Sequence, residues 1–427
     1  MNGSDLAKTV YAQAKGTDGP DKIGFCPGIR PRAGSRQGGK DMFKKAQGWL
    51  AAMAVVLVHT APAQAQMVPA RLVQGIPLYQ EETWVGGNRI PVSILTLSPS
   101  AGRLRPIWAE PTGLVGLREL SSFAGEQGAL AAINGGFFNR NTRQPLGAIR
   151  LEGRWISSPI LGRGVVAWSD QGAVRFGRLQ MHAELRNGIG DRIPLMGINT
   201  GYIVAGISQF TSDWGSTYTT QTDNETVLQV QEGQVQAIVP AGLAGSVSVP
   251  IPGGGYVLAA RELEGSLEAQ KLVVGDRLSI HLALDPPELE AYPHLLGAGP
   301  LLLLDGQVVL DAERERFQPT FRTQRAARSA IGLLESGHLL WVTAGNAQEN
   351  QGLTLLEMAQ LMLQLGCRHA LNLDGGNSST LVLEGEAVNW ERPFLEVGNP
   401  ENAADNGLPG SRRILPRVHN GLGFFPL

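Results

Sequence analysis

Cysteine is nearly absent from this chain. Cys26 and Cys367 are the only two in 427 residues. A disulfide-stapled scaffold is therefore excluded, and stability must come from a packed core. Several catalytic signatures are missing as well. The chain has no Gly-x-Ser-x-Gly, no His-Glu-x-x-His, no Cys-x-x-Cys and no Gly-x-x-x-x-Gly-Lys-Ser/Thr phosphate loop, which argues against a serine esterase, a zinc hydrolase and a nucleotide-binding loop. Its seven histidines are scattered, with no pair at metal-ligand spacing. Basic runs are lacking too. Residues 66–427 hold 27 Lys+Arg against 34 Asp+Glu, and this acidic balance argues against nucleic acid as a partner.

One apolar run does stand out. Lys44 and Lys45 precede Trp49 to Val58, and Ala63-Gln64-Ala65 follows. Positive start, short apolar core and small-x-small ending have the order of a secretory signal. The run is shorter than the roughly 20 residues a membrane helix requires. Residues 42–65 are read as the signal peptide, and residues 1–41, polar and Gly-rich, as a non-native or disordered leader preceding a true start at Met42. Peptides from before Met42 in the precursor would refute that start. The expected product is exported, periplasmic or extracellular, without a transmembrane anchor after signal cleavage. Residues 66–427 are read as one large domain.

With 55 glycines and 26 prolines against 17% charged residues, many turns between short strands are expected. The fold class is α+β: strand-dominated mixed sheets with a few packed helices. Strands are expected from Gln66 to Ile107, at Ala129 to Ile133, and through Glu225 to Leu284, with hairpins between 145 and 180 and around Asp305-Gly306. Leu114, Leu117 and Leu120 predict a helix over Gly113 to Phe123. Thr354-Leu355-Leu356-Glu357 has the pattern of a capping box, opening a helix closed by Gly366. A strand, Ala370 to Asp374, follows, then Gly375-Gly376 and a strand from Thr380.

Three glycine-flanked polar clusters could carry chemistry. In Asn134-Gly135-Gly136-Phe137-Phe138-Asn139, glycines let the backbone approach a ligand while phenylalanines anchor the loop. In Arg325-Ala326-Ala327-Arg328-Ser329, Arg328 enters an apolar strand, where a guanidinium is costly unless it meets an anion. In Asp374-Gly375-Gly376-Asn377-Ser378-Ser379-Thr380, a carboxylate lies beside free N–H groups and hydroxyls. Such a group can serve as base or nucleophile, metal ligand, or acceptor for sugar hydroxyls. Each cluster also has a plain reading, as a turn, an internal ion pair and an Asx-turn loop.

In this order the clusters resemble the phosphodiester glycosidase family. Further matching pieces are Ser212-Asp213-Trp214-Gly215, the hairpin Gly297 to Leu301, and Arg328 to Gly332. The capped helix followed by Ala370 to Thr380 is the most specific. One departure is Ala344-Gly345-Asn346, where many relatives carry Asp-Gly-Arg. The resemblance implies cleavage between a sugar's anomeric carbon and a phosphodiester oxygen, with a carbohydrate or sugar-phosphate as partner. It assigns Asp374 as nucleophile or base, Arg328 to the phosphate and Asn134 to sugar hydroxyls or the water. Gly135, Gly136, Gly375, Gly376, Asn377, Ser378, Ser379, Thr380 and Asn346 are expected around the substrate. Glu225 is a guess for a second carboxylate. No cofactor is required; a divalent cation beside Asp374 is compatible with the residues, though no ligand set can be read. Two other classes compete: a non-catalytic binder of polysaccharide or peptidoglycan, and a two-metal phosphodiesterase for which the sequence offers no ligand cluster.

Overall fold

A computed structural model describes residues 68–346, 351–389 and 415–427. The expected leader and signal peptide lie outside the described residues. Strands dominate, as expected, and the helices among the described residues are short: α1 (Leu120–Glu126), α2 (Glu262–Ala269), α3 (Pro319–Thr323) and α4 (Leu355–Gln364).

The largest sheet has eight strands in the order Arg71–Val73, Ile76–Val85, Asn88–Leu97, Leu339–Ala344, Arg328–Leu334, Cys367–Asn372, Leu301–Leu304 and Gln307–Val308, each antiparallel to its neighbours. Alternation along these strands gives the sheet two apolar faces. On one face α4 packs Met358, Ala359 and Met362 against Val342, Leu303 and Ala370. On the other, Leu95, Ile331, Trp341 and Leu371 join the main core. A five-stranded sheet contains Glu386–Ala387, Leu381–Leu383, Ala131–Asn134, Asn420–Pro426 and Gly102–Trp108. A second five-stranded sheet centres on Gly164–Trp168 and His294–Gly297, and a seven-stranded sheet runs from Gln234–Pro240 to Leu278–Asp285.

The capping box at α4 forms as read. Thr354 Oγ1 accepts from the Glu357 N–H at 3.2 Å, and Glu357 Oε2 accepts from the Thr354 N–H at 2.8 Å. Gly366, at φ +85°, closes the helix. Replacing Thr354 by Ala is expected to cost about 1 kcal/mol, measured as a shift in the urea midpoint. Asp305 and Gly306, at φ 49° and 75°, turn the 301–308 hairpin, as their sequence predicts.

Four expectations need correction. The helix predicted over Gly113 to Phe123 begins only at Leu120. A Cβ at Gly113 would stand 2.9 Å from the Trp214 carbonyl, so this glycine serves a close approach between two loops. Helix α2 interrupts the region read as strand and turn; at eight residues it draws its stability from packing on Gly206–Thr211 and Gly255–Arg261. Gly297 to Leu301 is no hairpin. It carries the chain from His294–Gly297 in one sheet to Leu301–Leu304 in another. Finally, the strand read as Ala370 to Asp374 ends at Asn372: Leu373 N still bonds the neighbouring strand at Ser329, but Asp374 N turns to the Gly135 carbonyl of the other sheet.

Candidate active site

Four strand ends from two sheets converge on one place. Ala131–Asn134 ends at it, Arg328–Leu334 starts from it, Cys367–Asn372 runs out toward it, and Asn420–Pro426 starts from it. The crossing between sheets is made by the backbone. Leu373 N donates to the Ser329 carbonyl at 2.8 Å, and Asp374 N to the Gly135 carbonyl at 2.9 Å. A carboxylate is thereby left at the seam.

Asn134 is the clasp. Its Nδ2 donates to the Asp374 carbonyl at 2.7 Å, while its Oδ1 accepts from Ser329 Oγ at 2.7 Å and Thr380 N at 3.0 Å. One fully buried side chain thus ties all three sequence clusters together. Its expected role, binding sugar hydroxyls or orienting water, is corrected: both ends of the amide are engaged and enclosed, so Asn134 positions Asp374. Asn134→Ala would orphan the buried Thr380 N–H, whereas the Ser329 hydroxyl can rotate away. A loss of about 2 kcal/mol in denaturant stability is expected.

Gly135 and Gly136 are positioned by Asn420, which the sequence reading missed. Gly135 N donates to the Asn420 carbonyl at 2.9 Å and Gly136 N to Asn420 Oδ1 at 2.7 Å. A Cβ at Gly136 would stand 2.3 Å from the Gly297 carbonyl, so the two glycines permit strand-to-loop packing. Behind Asn420, buried His419 contacts the Leu114 carbonyl through Nε2 at 2.7 Å. Burial pushes its pKa down to about 4, which keeps the ring neutral.

The Asp374 carboxyl is half-buried. Burial pushes its pKa up to about 6, and the Ser378 hydroxyl, the Gly375 N–H and the charges of Arg140 and Arg328 draw it part of the way back. The glycine turn beyond it offers fewer donors than expected. Gly375 N bonds Asp374 Oδ1, Gly376 N the Ala327 carbonyl, Ser378 N the Gly375 carbonyl and Ser379 N the Gly376 carbonyl. These N–H groups hold the loop's shape; Asn377 is exposed at its tip, and Gly376 takes φ +62°.

Arg328 is buried without a carboxylate on its hydrogen bonds. Its Nε donates to the Leu353 carbonyl at 2.9 Å and its Nη2 to the Gln324 carbonyl at 2.6 Å, with the Phe321 ring 5.1 Å from Cζ. Burial pushes its pKa down to about 10, against the pull of Asp374. Among the described residues Nη1 has no hydrogen-bond partner, and it lies close to the Gly375 backbone. That leaves one N–H edge of a held guanidinium beside a carboxyl, an arrangement able to seat an anion.

Two further cations were not singled out from the sequence. Arg140 acts on Asp374 from the loop after Phe138. Arg163 lies with its Cζ 4.1 Å from the Phe317 ring centre and 5.3 Å from that of Phe137. The available signal was Gly162-Arg163-Gly164, a cation between glycines ahead of an apolar strand.

Glu225 is not a second carboxylate here. It is fully buried. Oε1 accepts from Arg261 Nε at 3.1 Å and from Gln221 N, Thr222 N and Thr222 Oγ1; Oε2 accepts from Tyr218 OH at 2.7 Å. A carboxylate so occupied has no oxygen to offer a substrate. Asn346 pairs through its backbone with Gln351 and lines a cavity of about 30 Å³ with Ser93, Thr343 and Asn389, whose Nδ2 reaches the Ser379 carbonyl. A larger cavity of about 440 Å³, bounded by Arg71, Gln80 and Glu386, is lined by none of Asn134, Arg328 and Asp374. Among the described residues, no three His, Cys, Asp or Glu side chains converge as a metal site.

Residues 224–424 match the family model for phosphodiester glycosidases. Over 127 residues the chain is 32% identical to the N-acetylglucosamine-1-phosphodiester alpha-N-acetylglucosaminidase of Mus musculus, a stretch that is 28% of this chain and 24% of that protein. It thus spans a quarter or less of the curated relatives it matches. The crystal structure of a hypothetical protein from Synechocystis superposes with a TM-score of 0.75 at 37% identity, covering 85% of this chain and 65% of that one. A Burkholderia pseudomallei protein whose description suggests export has the same fold at 23% identity, with a TM-score of 0.61 over 79% of this chain and 74% of that one. Over residues 224–424, and in the motifs quoted above, the chain is thus similar to the phosphodiester glycosidases.

Proposed function

We propose that the chain is an exported hydrolase that cleaves a sugar-1-phosphodiester between the anomeric carbon and the phosphate oxygen, its catalytic domain spanning residues 66–427. The observation that carries this reading is the half-buried Asp374 carboxyl, with a pKa near 6, beside the unpartnered Nη1 edge of Arg328. Arg328 takes a phosphate oxygen on its open Nη1 edge, since a guanidinium stays charged and its N–H groups bond anionic oxygens strongly. Phosphate leaves without a strong acid behind it, so a lone carboxylate can suffice. Asp374 faces the anomeric carbon, stabilising positive charge there as nucleophile or as base toward water. Water oxygen ends on the sugar, the carbon–oxygen bond breaks, and phosphate departs as a monoester. The signal-like segment 42–65 supports export, and no described helix is long and apolar enough to cross a membrane.

The substitution of Asp and Arg by Ala344 and Asn346 favours a second reading, a carbohydrate binder without turnover. Incubation with a panel of sugar-1-phosphodiesters in ¹⁸O-water separates the alternatives. Free sugar carrying the label is expected. Label on phosphate would mean phosphorus–oxygen cleavage, and binding without product would mean a lectin-like role.

A further inference from the structure

Among the described residues Arg163 forms no ion pair, although the Glu315 charge acts on it. Its one hydrogen bond among the described residues runs from Nε to the Glu315 carbonyl, at 3.4 Å. The Glu315 carboxylate is already spent: Oε1 accepts from Arg178 Nε at 2.8 Å and Leu301 N at 3.0 Å, and Oε2 from Gly164 N at 2.8 Å. Among the described residues neither Nη group of Arg163 has a hydrogen bond or ion pair, and only the charges of Glu315 and then Tyr202 act on it from a distance. Burial pushes the guanidinium pKa down to about 10, so it remains charged at neutral pH while partly stripped of water. Holding such a charge without a partner is unfavourable, and an incoming oxyanion would relieve it.

Its placement relative to Arg328 gives the site a direction. Phe137, Phe317 and Phe321 pack mutually, with ring centres 5.0 to 5.7 Å apart. Arg163 lies on Phe317 and Phe137, and Arg328 on Phe321. The cations acting on Asp374 are Arg140 and Arg328, whereas the groups acting on Arg163 are Glu315 and Tyr202. The order is thus carboxylate, first guanidinium, aromatic cluster, second guanidinium.

We propose that Arg163 is a second oxyanion subsite, and that the preferred substrate carries a further phosphate or carboxylate on the group beyond the scissile phosphodiester. This rests on the reading of Asp374 and Arg328 given above. The packed rings lie between the two cations and set their spacing.

The test compares two sugar-1-phosphodiesters differing only in a neutral or a carboxylate-bearing group beyond the phosphate. The native protein is expected to prefer the anionic one by about tenfold or more in kcat/KM, and Arg163→Gln to bring that ratio near one. An unchanged ratio in Arg163→Gln, or none in the native protein, overturns the proposal. Inhibition by inorganic phosphate that disappears in Arg163→Gln, without any substrate preference, assigns the subsite to free phosphate and also overturns it. If neither compound is hydrolysed, the glycosidase reading fails on its own. Calorimetric titration with inorganic pyrophosphate then reads the subsite: about tenfold weaker binding in Arg163→Gln supports it, and equal binding refutes it.

Discussion

Asp374→Asn is expected to cut turnover at pH 7 by about a hundredfold or more, while making the fold more resistant to denaturant. Both effects come from one carboxyl. Its folded pKa, about 6, lies above the ordinary value near 3.9 for an unfolded chain. Below both values the proton is bound in either state and stability is indifferent to it. Between them the folded state holds the proton more tightly, so stability falls as pH rises through that window. At pH 7 the native protein therefore carries an ionised group that its surroundings disfavour. The amide that replaces it in the variant would be neutral at every pH, and its carbonyl could still accept from Gly375 N. A gain of about 1 to 2 kcal/mol is expected, read from urea unfolding at pH 7 and vanishing near pH 4. Turnover of the native enzyme should climb with pH and level off above an inflection near 6. Unchanged hydrolysis in the variant, or a rate that falls through pH 6, would remove Asp374 from the role of nucleophile or base.

Glu225→Ala should be the most destabilising single change, at about 3 to 5 kcal/mol. Arg261 is fully buried, stacked with its Cζ 5.4 Å from the Phe210 ring, and relies on Glu225 for its counter-charge. Deleting the carboxylate strands that guanidinium and also frees the Gln221 and Thr222 N–H groups and the Tyr218 hydroxyl, which burial keeps protonated. Denaturant titration measures the loss, with activity declining only as the folded fraction does. A variant that keeps full stability yet loses turnover would return Glu225 to the catalytic site.

Local patterns in the sequence were reliable where their partners were local. Thr354 and Glu357 are three residues apart, and their reciprocal bonds need only a helical turn. Asp305-Gly306 requires two positive φ angles, which those residues accept. Arg328 entering an apolar strand marked a guanidinium that the fold buries near Asp374, although its hydrogen bonds go to carbonyls and not to an ion-pair partner. The failures share a cause. Helix α2 is too short for periodicity to announce it, and the leucines at 114, 117 and 120 mimic a helix where Gly113 lets two loops meet. Glu225 and Asp374 are both carboxylates near turns. Only long-range contacts separate them: Arg261, 36 residues away in one case, and a seam of two sheets in the other.

By itself the sequence determined the strand-rich architecture, the capped helix and the three polar clusters, because alternation, capping and turn chemistry act over a few neighbouring residues. The tertiary structure alone decided that Asn134 is a clasp, that the glycine-turn N–H groups are mostly spent, and that Arg163 forms no ion pair among the described residues. Those outcomes depend on which groups run out of partners once distant strands pack, a question that no short stretch of chain can answer.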